Sequence, residues 1–135
     1  MLTTDTDHGN RGGGPPHTPA SKDVAGFMSA ADKAALDRFL SAPVTQTTNY
    51  TVAEADGWLI LNGAGTITLT LPSPSASPGR VLECKTIAAQ LVVSASANVV
   101  PVAGGAAGTS ILPATAGAWA TLKSDGTNWI IMRRG

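Results

Sequence analysis

Residues 57–71 read Gly-Trp-Leu-Ile-Leu-Asn-Gly-Ala-Gly-Thr-Ile-Thr-Leu-Thr-Leu, and the fold class turns on them. From Thr66 to Leu71, threonine alternates with Ile67, Leu69 and Leu71. In an extended chain that pattern puts the apolar side chains on one face and the hydroxyls on the other. A helix would scatter the same residues around its circumference. Just upstream, Trp58 to Leu61 is a second apolar run, and Asn62-Gly63-Ala64-Gly65 between them is a turn-forming sequence. The pair predicts a β-hairpin.

Working outward, Thr45 to Val52 is rich in β-branched residues, and Pro72, Pro74 and Pro78 make a stiff connection. Further strands are expected at Arg80 to Ile87, Leu91 to Ala95, Val99 to Val102 and around Ile111 and Leu112. The last two, Trp119 to Lys123 and Asn128 to Met132, are joined across Asp125-Gly126. No helical pattern interrupts these strands, so parallel βαβ units are not expected. Residues 44–135 therefore read as a mainly β, small antiparallel sandwich or barrel knob.

Upstream of the knob, residues 23–43 read as a short helical stem. Ser29 is a good N-cap with Asp32 three residues on, alanines follow, and Pro43 ends the run. Met28, Ala31, Ala35, Leu36, Phe39 and Leu40 fall near one face. A helix this short is marginal alone, so its stripe needs another surface. The small alanines let three helices approach closely, which makes these six residues the candidate trimer interface.

Residues 1–22 hold Arg11-Gly12-Gly13-Gly14-Pro15-Pro16 and a further Pro19. Glycine is entropically costly to order and proline withholds backbone donors. This extended arm is expected to take its order from a partner surface.

Composition narrows the function classes. The chain has 135 residues, a formal net charge of zero and 13% charged residues, against about 25% in an ordinary soluble domain. Such a neutral surface is easier to understand if much of it is buried against copies of the same chain. Apolar residues on both faces of Trp58 to Leu61 and of Trp129 to Met132 ask for an inner core and a second partner. Balanced charge lacks the basic stripe a nucleic acid requires. No run approaches the roughly 18 apolar residues of a membrane helix, and Met1 to Asn10 is polar and acidic, unlike a secretory signal.

Catalytic chemistry finds little footing. His8 and His17 both lie in the Gly/Pro arm, and Cys84 stands alone between strand residues, an expected inert thiol. Glu54 and Asp56 could form a glycosidase pair but read better as a turn before Gly57. Gly104-Gly105 and Gly108 lack the Lys-Ser/Thr of a phosphate loop. No histidine or cysteine has a partner at metal-ligand spacing. The expectation is no enzyme activity, no cofactor and no metal. Trp58, Trp119 and Trp129 sit in apolar strand runs, which favours packing over sugar stacking.

Two stretches carry a resemblance. His8-Gly9-Asn10-Arg11-Gly12-Gly13-Gly14, then Pro15, Pro16 and His17, precede Val24-Ala25-Gly26-Phe27-Met28-Ser29-Ala30-Ala31-Asp32-Lys33 and Leu36-Asp37. This resembles a segment of tailed-bacteriophage fibre and decoration proteins that links a virion-binding tip to a trimeric shaft or knob. More loosely, Thr66-Ile67-Thr68-Leu69, Gly79-Arg80 and Ser124-Asp125-Gly126-Thr127-Asn128-Trp129 are similar to small phage fibre domains. The resemblance implies a homotrimer without cofactor, made in the bacterial cytoplasm and carried on the particle surface. It implies that residues His8 to His17 dock on the major capsid protein or another virion component. A short head fibre or capsid decoration protein fits the chain length best. A small tail or collar fibre that binds a receptor, and a module binding host surface glycan, are the alternatives.

Overall fold

The computed structural model describes residues 28–135. The arm expected over residues 1–22, its docking segment His8 to His17 and the first residues of the expected stem, 23–27, lie outside the described residues. Chain contacts divide the protein into Met1–Asp37 and Arg38–Gly135.

Helix α1 spans Ala30–Leu40, beginning where Ser29 caps it. The Ser29 hydroxyl accepts a hydrogen bond from the Asp32 amide at 3.1 Å and donates one to the Asp32 carboxylate at 2.6 Å. Asp32 in the first turn and Arg38 in the last complement the helix dipole. Lys33 and Asp37 form an exposed ion pair one turn apart. At the other end the Ser41 hydroxyl donates to the Arg38 carbonyl at 2.8 Å, just before Pro43.

Ten strands follow: β1 (Val44–Gln46), β2 (Tyr50–Thr51), β3 (Trp58–Leu61), β4 (Ile67–Thr70), β5 (Val81–Thr86), β6 (Val92–Ser94), β7 (Val99–Val100), β8 (Ser110–Leu112), β9 (Trp119–Ser124) and β10 (Trp129–Arg134). A six-stranded sheet has the order β1-β3-β5-β9-β10-β7 and a four-stranded sheet the order β2-β4-β6-β8. The protein is mainly β, as its residue pattern implies.

The expected hairpin between β3 and β4 does not form. The two strands lie in different sheets, and each pairs in parallel with its counterpart one turn of chain later. Trp58 stands beside Glu83 and Ile67 beside Val92, the same 25-residue step in both sheets. The pairs β1–β3 and β2–β4 are parallel too, so the chain coils between the sheets for three turns. The sheets are mixed, not antiparallel.

The physical reason lies at the corner after β3. A Cβ on Gly63 would meet the Thr47 carbonyl oxygen of the previous coil at 2.7 Å. On its other side the Gly63 amide donates to Gln90 of the next coil. Gly63 is there because corners stack, and no side chain fits between them. Parallel pairing needs a crossover, usually a helix; here the opposite sheet carries the chain back instead.

Antiparallel pairing is confined to the closing strands, where β8 joins β6 and β9 joins β5. The predicted β9–β10 hairpin is present. Its turn is held by the Asp125 carboxylate, which accepts from the Thr127 and Asn128 amides at 2.8 and 2.7 Å. Gly126 takes a φ of +92°, which a side chain would resist.

One apolar core draws on both sheets. Ile67, Leu69 and Leu71 of the alternating strand are buried in it, together with Leu59, Leu61, Leu82 and Leu122. Each such side chain contributes about 1.5–3 kcal/mol on burial. Trp129 is fully enclosed and donates its indole N–H to the Pro72 carbonyl at 2.9 Å, tying β10 to the proline connection.

Candidate functional site

With one core filled from both sheets, each sheet has an outer face, and the two faces differ. On the four-stranded sheet the outward residues Thr51, Thr68, Thr70 and Ser110 carry hydroxyls, with Val93 the exception. That face is built for water. On the six-stranded sheet the register turns Trp58, Ile60, Val81, Trp119 and Ile130 outward. Val81 is 39% exposed and Trp119 36%. Met132, the extra residue of a bulge in β10, is 54% exposed. The bulge also turns Arg133 to the outer face opposite Thr121, away from the core side that Ile131 occupies.

Charged residues sit among these apolar ones. Glu83, Lys85, Lys123 and Arg133 share the face, with Lys85 directly across from Trp119. The half-buried Glu83 accepts the Thr121 hydroxyl at 2.8 Å. Arg133 stands 4.0 Å from the Glu83 carboxylate, an exposed pair that contributes little by itself.

The helical stripe is equally uncovered. Met28, Ala31, Ala35, Leu36, Phe39 and Leu40 are all exposed, and α1 has no buried residue, but Met28, expected on the helix, precedes its Ser29 cap and lies outside it. Phe39 is 66% exposed and Leu40 68%. The helix end and the sheet face join at one contact, where the Phe39 and Trp58 rings lie 6.2 Å apart at 56°. The Trp58 indole N–H donates to the Phe39 carbonyl at 2.8 Å.

The other candidates resolve into local structure. Asp56 is buried, accepting the Tyr50 hydroxyl at 2.8 Å and the Ala53 amide at 2.7 Å, so it holds a turn and leaves no open pair with Glu54. The bond to Asp56, with burial, pushes the Tyr50 hydroxyl above its ordinary pKa. Arg80 is buried below that turn and donates to the Ala53 and Asp56 carbonyls at 2.6 and 3.0 Å. Burial, helped by the neighbouring Arg38, pulls Arg80 below the usual arginine range.

Cys84 is buried in β5, and burial next to Glu83 pushes its thiol up to about 12, leaving it inert. Gly104 and Gly105 adopt positive φ in a surface turn. Among the described residues no three His, Cys, Asp or Glu side chains gather to hold a metal ion. No helix among them is long and apolar enough to cross a membrane.

The three tryptophans do not form one platform: Trp129 is enclosed, Trp58 lies against Phe39, and Trp119 alone presents an exposed ring. Residues that sequence reasoning passed over are Glu83, Thr121 and Arg133, which are far apart in the chain and adjacent only through strand pairing. Compared with family models, curated proteins and solved structures, the chain matches none.

Proposed function

We propose that this chain is a non-enzymatic structural protein of a tailed-bacteriophage particle, a trimeric capsid-surface fibre or decoration protein. In this reading residues 8–17 of the arm dock on the major capsid protein or another virion component. The helix is a trimer stem, the β domain is a sandwich-like knob, and host-surface attachment is an accessory role.

The observation that carries it is the helix with no buried residue, whose Ala31, Ala35, Leu36, Phe39 and Leu40 are turned to water, with Met28 exposed just before it. A short helix left like this is marginal, whereas three of them packed along Met28, Ala31, Ala35, Leu36, Phe39 and Leu40 cover the stripe. The fibre-like segment running into that helix supplies the phage context. A small tail or collar fibre would use the same stem and differ only in where the arm docks. A glycan-binding module draws less support, because Trp119 is the one tryptophan with an exposed side chain and its indole lies close to Gly135.

Two measurements test this reading. Sedimentation equilibrium at micromolar concentration should give one species at three times 13.6 kDa; a stable monomer overturns the stem. Deleting residues 1–22 should leave the β domain folded and abolish incorporation into particles. Normal occupancy of the truncated chain on virions would overturn the docking role of the arm.

A further inference from the structure

We propose that Asn62 is a self-modification site, silent while the coils are stacked and active when they come apart. In the open chain its side-chain amide is lost to attack by the Gly63 nitrogen. The chemistry belongs to the β domain alone and depends on neither the stem nor the arm.

The chain has five asparagines, at 10, 49, 62, 98 and 128, and Asn62 is the one followed by glycine. The others precede Arg11, Tyr50, Val99 and Trp129, whose side chains crowd the nitrogen that would have to attack. Glycine leaves that nitrogen bare and lets the backbone bend into a five-membered ring. In the reaction the Gly63 amide gives up its proton, and its nitrogen bonds to the side-chain carbonyl carbon of Asn62. The bond from that carbon to Nδ2 breaks, and ammonia leaves with the proton. Water then opens the ring. Cleavage at the side-chain carbonyl leaves an aspartyl residue at this position. Cleavage at the main-chain carbonyl leaves an isoaspartyl residue, with one more carbon in the backbone.

The stacked corner blocks the first step. Asn62 is exposed, but the Gly63 amide is held by the side-chain carbonyl of Gln90. The flanking groups are pinned too. The Asn62 amide donates to the Gln46 carbonyl at 2.9 Å, and the Leu61 carbonyl accepts from the Ile87 amide at 3.0 Å. There is no room to turn, since a Cβ on Gly63 would stand 2.7 Å from the Thr47 carbonyl oxygen and 3.1 Å from the Ile67 side chain. The nitrogen can neither release its proton to solvent nor swing toward the Asn62 side chain until the corner opens.

Gln90 carries the second observation. It is 2% exposed, and its Nε2 has no hydrogen-bond partner among the described residues. A buried donor left unpaired is destabilising, and turning the amide over would only set that donor against the Gly63 N–H. An apolar residue at 90 would avoid the orphan; what glutamine adds there is the acceptor for Gly63. An isoaspartyl residue at 62 would lengthen the corner and carry Gly63 out of its place between Thr47 and Gln90. A chain that ages before its coils close therefore cannot close them, and folding itself sorts damaged copies from intact ones.

The test holds the full chain at pH 8, folded or in guanidinium chloride, and follows the peptide containing Asn62 by mass spectrometry. Amide loss should be at least about 30-fold slower in the folded chain, because it proceeds only through local opening. Gln90→Met, of similar size but without the acceptor, should speed the loss in the folded chain at least about 10-fold, in step with faster hydrogen exchange at the Gly63 amide. Far-UV circular dichroism checks that this variant is folded. Should it fail to fold, the wild type in sub-denaturing guanidinium decides: amide loss at Asn62 should rise in proportion to exchange at Gly63. Chains aged in denaturant and then refolded should show no isoaspartate at 62 in the protease-resistant fraction. Asn62→Ser, which has no amide to lose, should refold after the same ageing to the yield of an unaged chain. Equal rates in folded and unfolded wild type, faster exchange at Gly63 without faster amide loss, or isoaspartate at 62 in the refolded fraction would each overturn the proposal.

Discussion

Gly57→Ala tests how the helix end is held on the β domain. Gly57 is buried, and its carbonyl accepts the Glu83 amide at 2.9 Å. A Cβ at this position would overlap the Arg38 carbonyl oxygen and come within 2.8 Å of the Arg38 carbonyl carbon, both backbone atoms. Arg38 cannot simply rotate aside. Its carbonyl is fixed by Ser41 at 2.8 Å, its guanidinium reaches the Glu54 carbonyl at 3.5 Å, and the next residue holds the Trp58 indole. Accommodating the methyl group must draw the chain at 38–41 away from β3. Overpacking of this kind costs about 1–3 kcal/mol, and losing the Trp58–Phe39 hydrogen bond adds about 0.5–1.5 kcal/mol. The expected loss is about 2–4 kcal/mol from a domain stability of order 5–15 kcal/mol, so the β domain should stay folded. At a urea slope of about 1–3 kcal/mol per M, the midpoint should fall by roughly 0.7–4 M. The assay is urea unfolding by far-UV circular dichroism at one fixed protein concentration, because association itself adds stability. The indole N–H resonance of Trp58 should also shift and exchange faster. An unchanged midpoint with an unchanged Trp58 resonance would refute the close approach of Arg38 to Gly57.

Three further outcomes follow from the core and the turns. Trp129→Phe removes the donor to the Pro72 carbonyl and part of the largest buried side chain; thermal and urea melts should show a loss of about 2–4 kcal/mol, and less than 1 kcal/mol would contradict the enclosure described. Cys84, with its thiol pushed up to about 12, should resist a disulfide reagent at pH 8 in the folded protein and react fully in urea; rapid labelling without denaturant would count against its burial. The Asn128 and Thr127 amides hold the Asp125 carboxylate below its ordinary pKa, so its contribution is complete above about pH 4 and lost as pH falls through the folded value. Amide exchange at Thr127 and Asn128, corrected for its intrinsic pH dependence, should therefore speed up only at acid pH in the wild type, and already at neutral pH in Asp125→Ala.

Most strand positions could be read from the residues, because burial imposes a period of two on any strand with one wet face. Trp58 to Leu61 and the closing pair around Asp125-Gly126 fall where expected. The pairing could not be read the same way. Alternation in Thr66 to Leu71 says which face is buried and nothing about which strand lies alongside. Asn62-Gly63-Ala64-Gly65 is equally suited to a two-strand hairpin and to a corner that passes the chain to another sheet. What separates them is the 25-residue step shared by both sheets. Its trace in the residues is faint: Leu59 aligns with Cys84, Leu61 with Thr86 and Leu69 with Ser94. Core positions of neighbouring coils need only fit, not match, so the repeat is structural before it is chemical.

The apolar stripe of the helix was legible for the same reason the strands were: periodicity is a local property. The sheet face was legible only in part. Apolar residues on both sides of Trp58 to Leu61 and Trp129 to Met132 are visible in the residues, but only one side of each strand faces the core. The identity of the surface they share depends on β9 lying between β5 and β10, which places Thr121 between Glu83 and Arg133. It depends also on a single bulge, without which Arg133 would point at the core. A surface assembled from long-range register carries no local signature, whereas a catalytic motif or metal site announces itself through rare residues at fixed spacing. What the described residues have in quantity is exposed apolar side chains, Leu36, Phe39 and Leu40 on the helix and Val81, Trp119 and Met132 on the β domain.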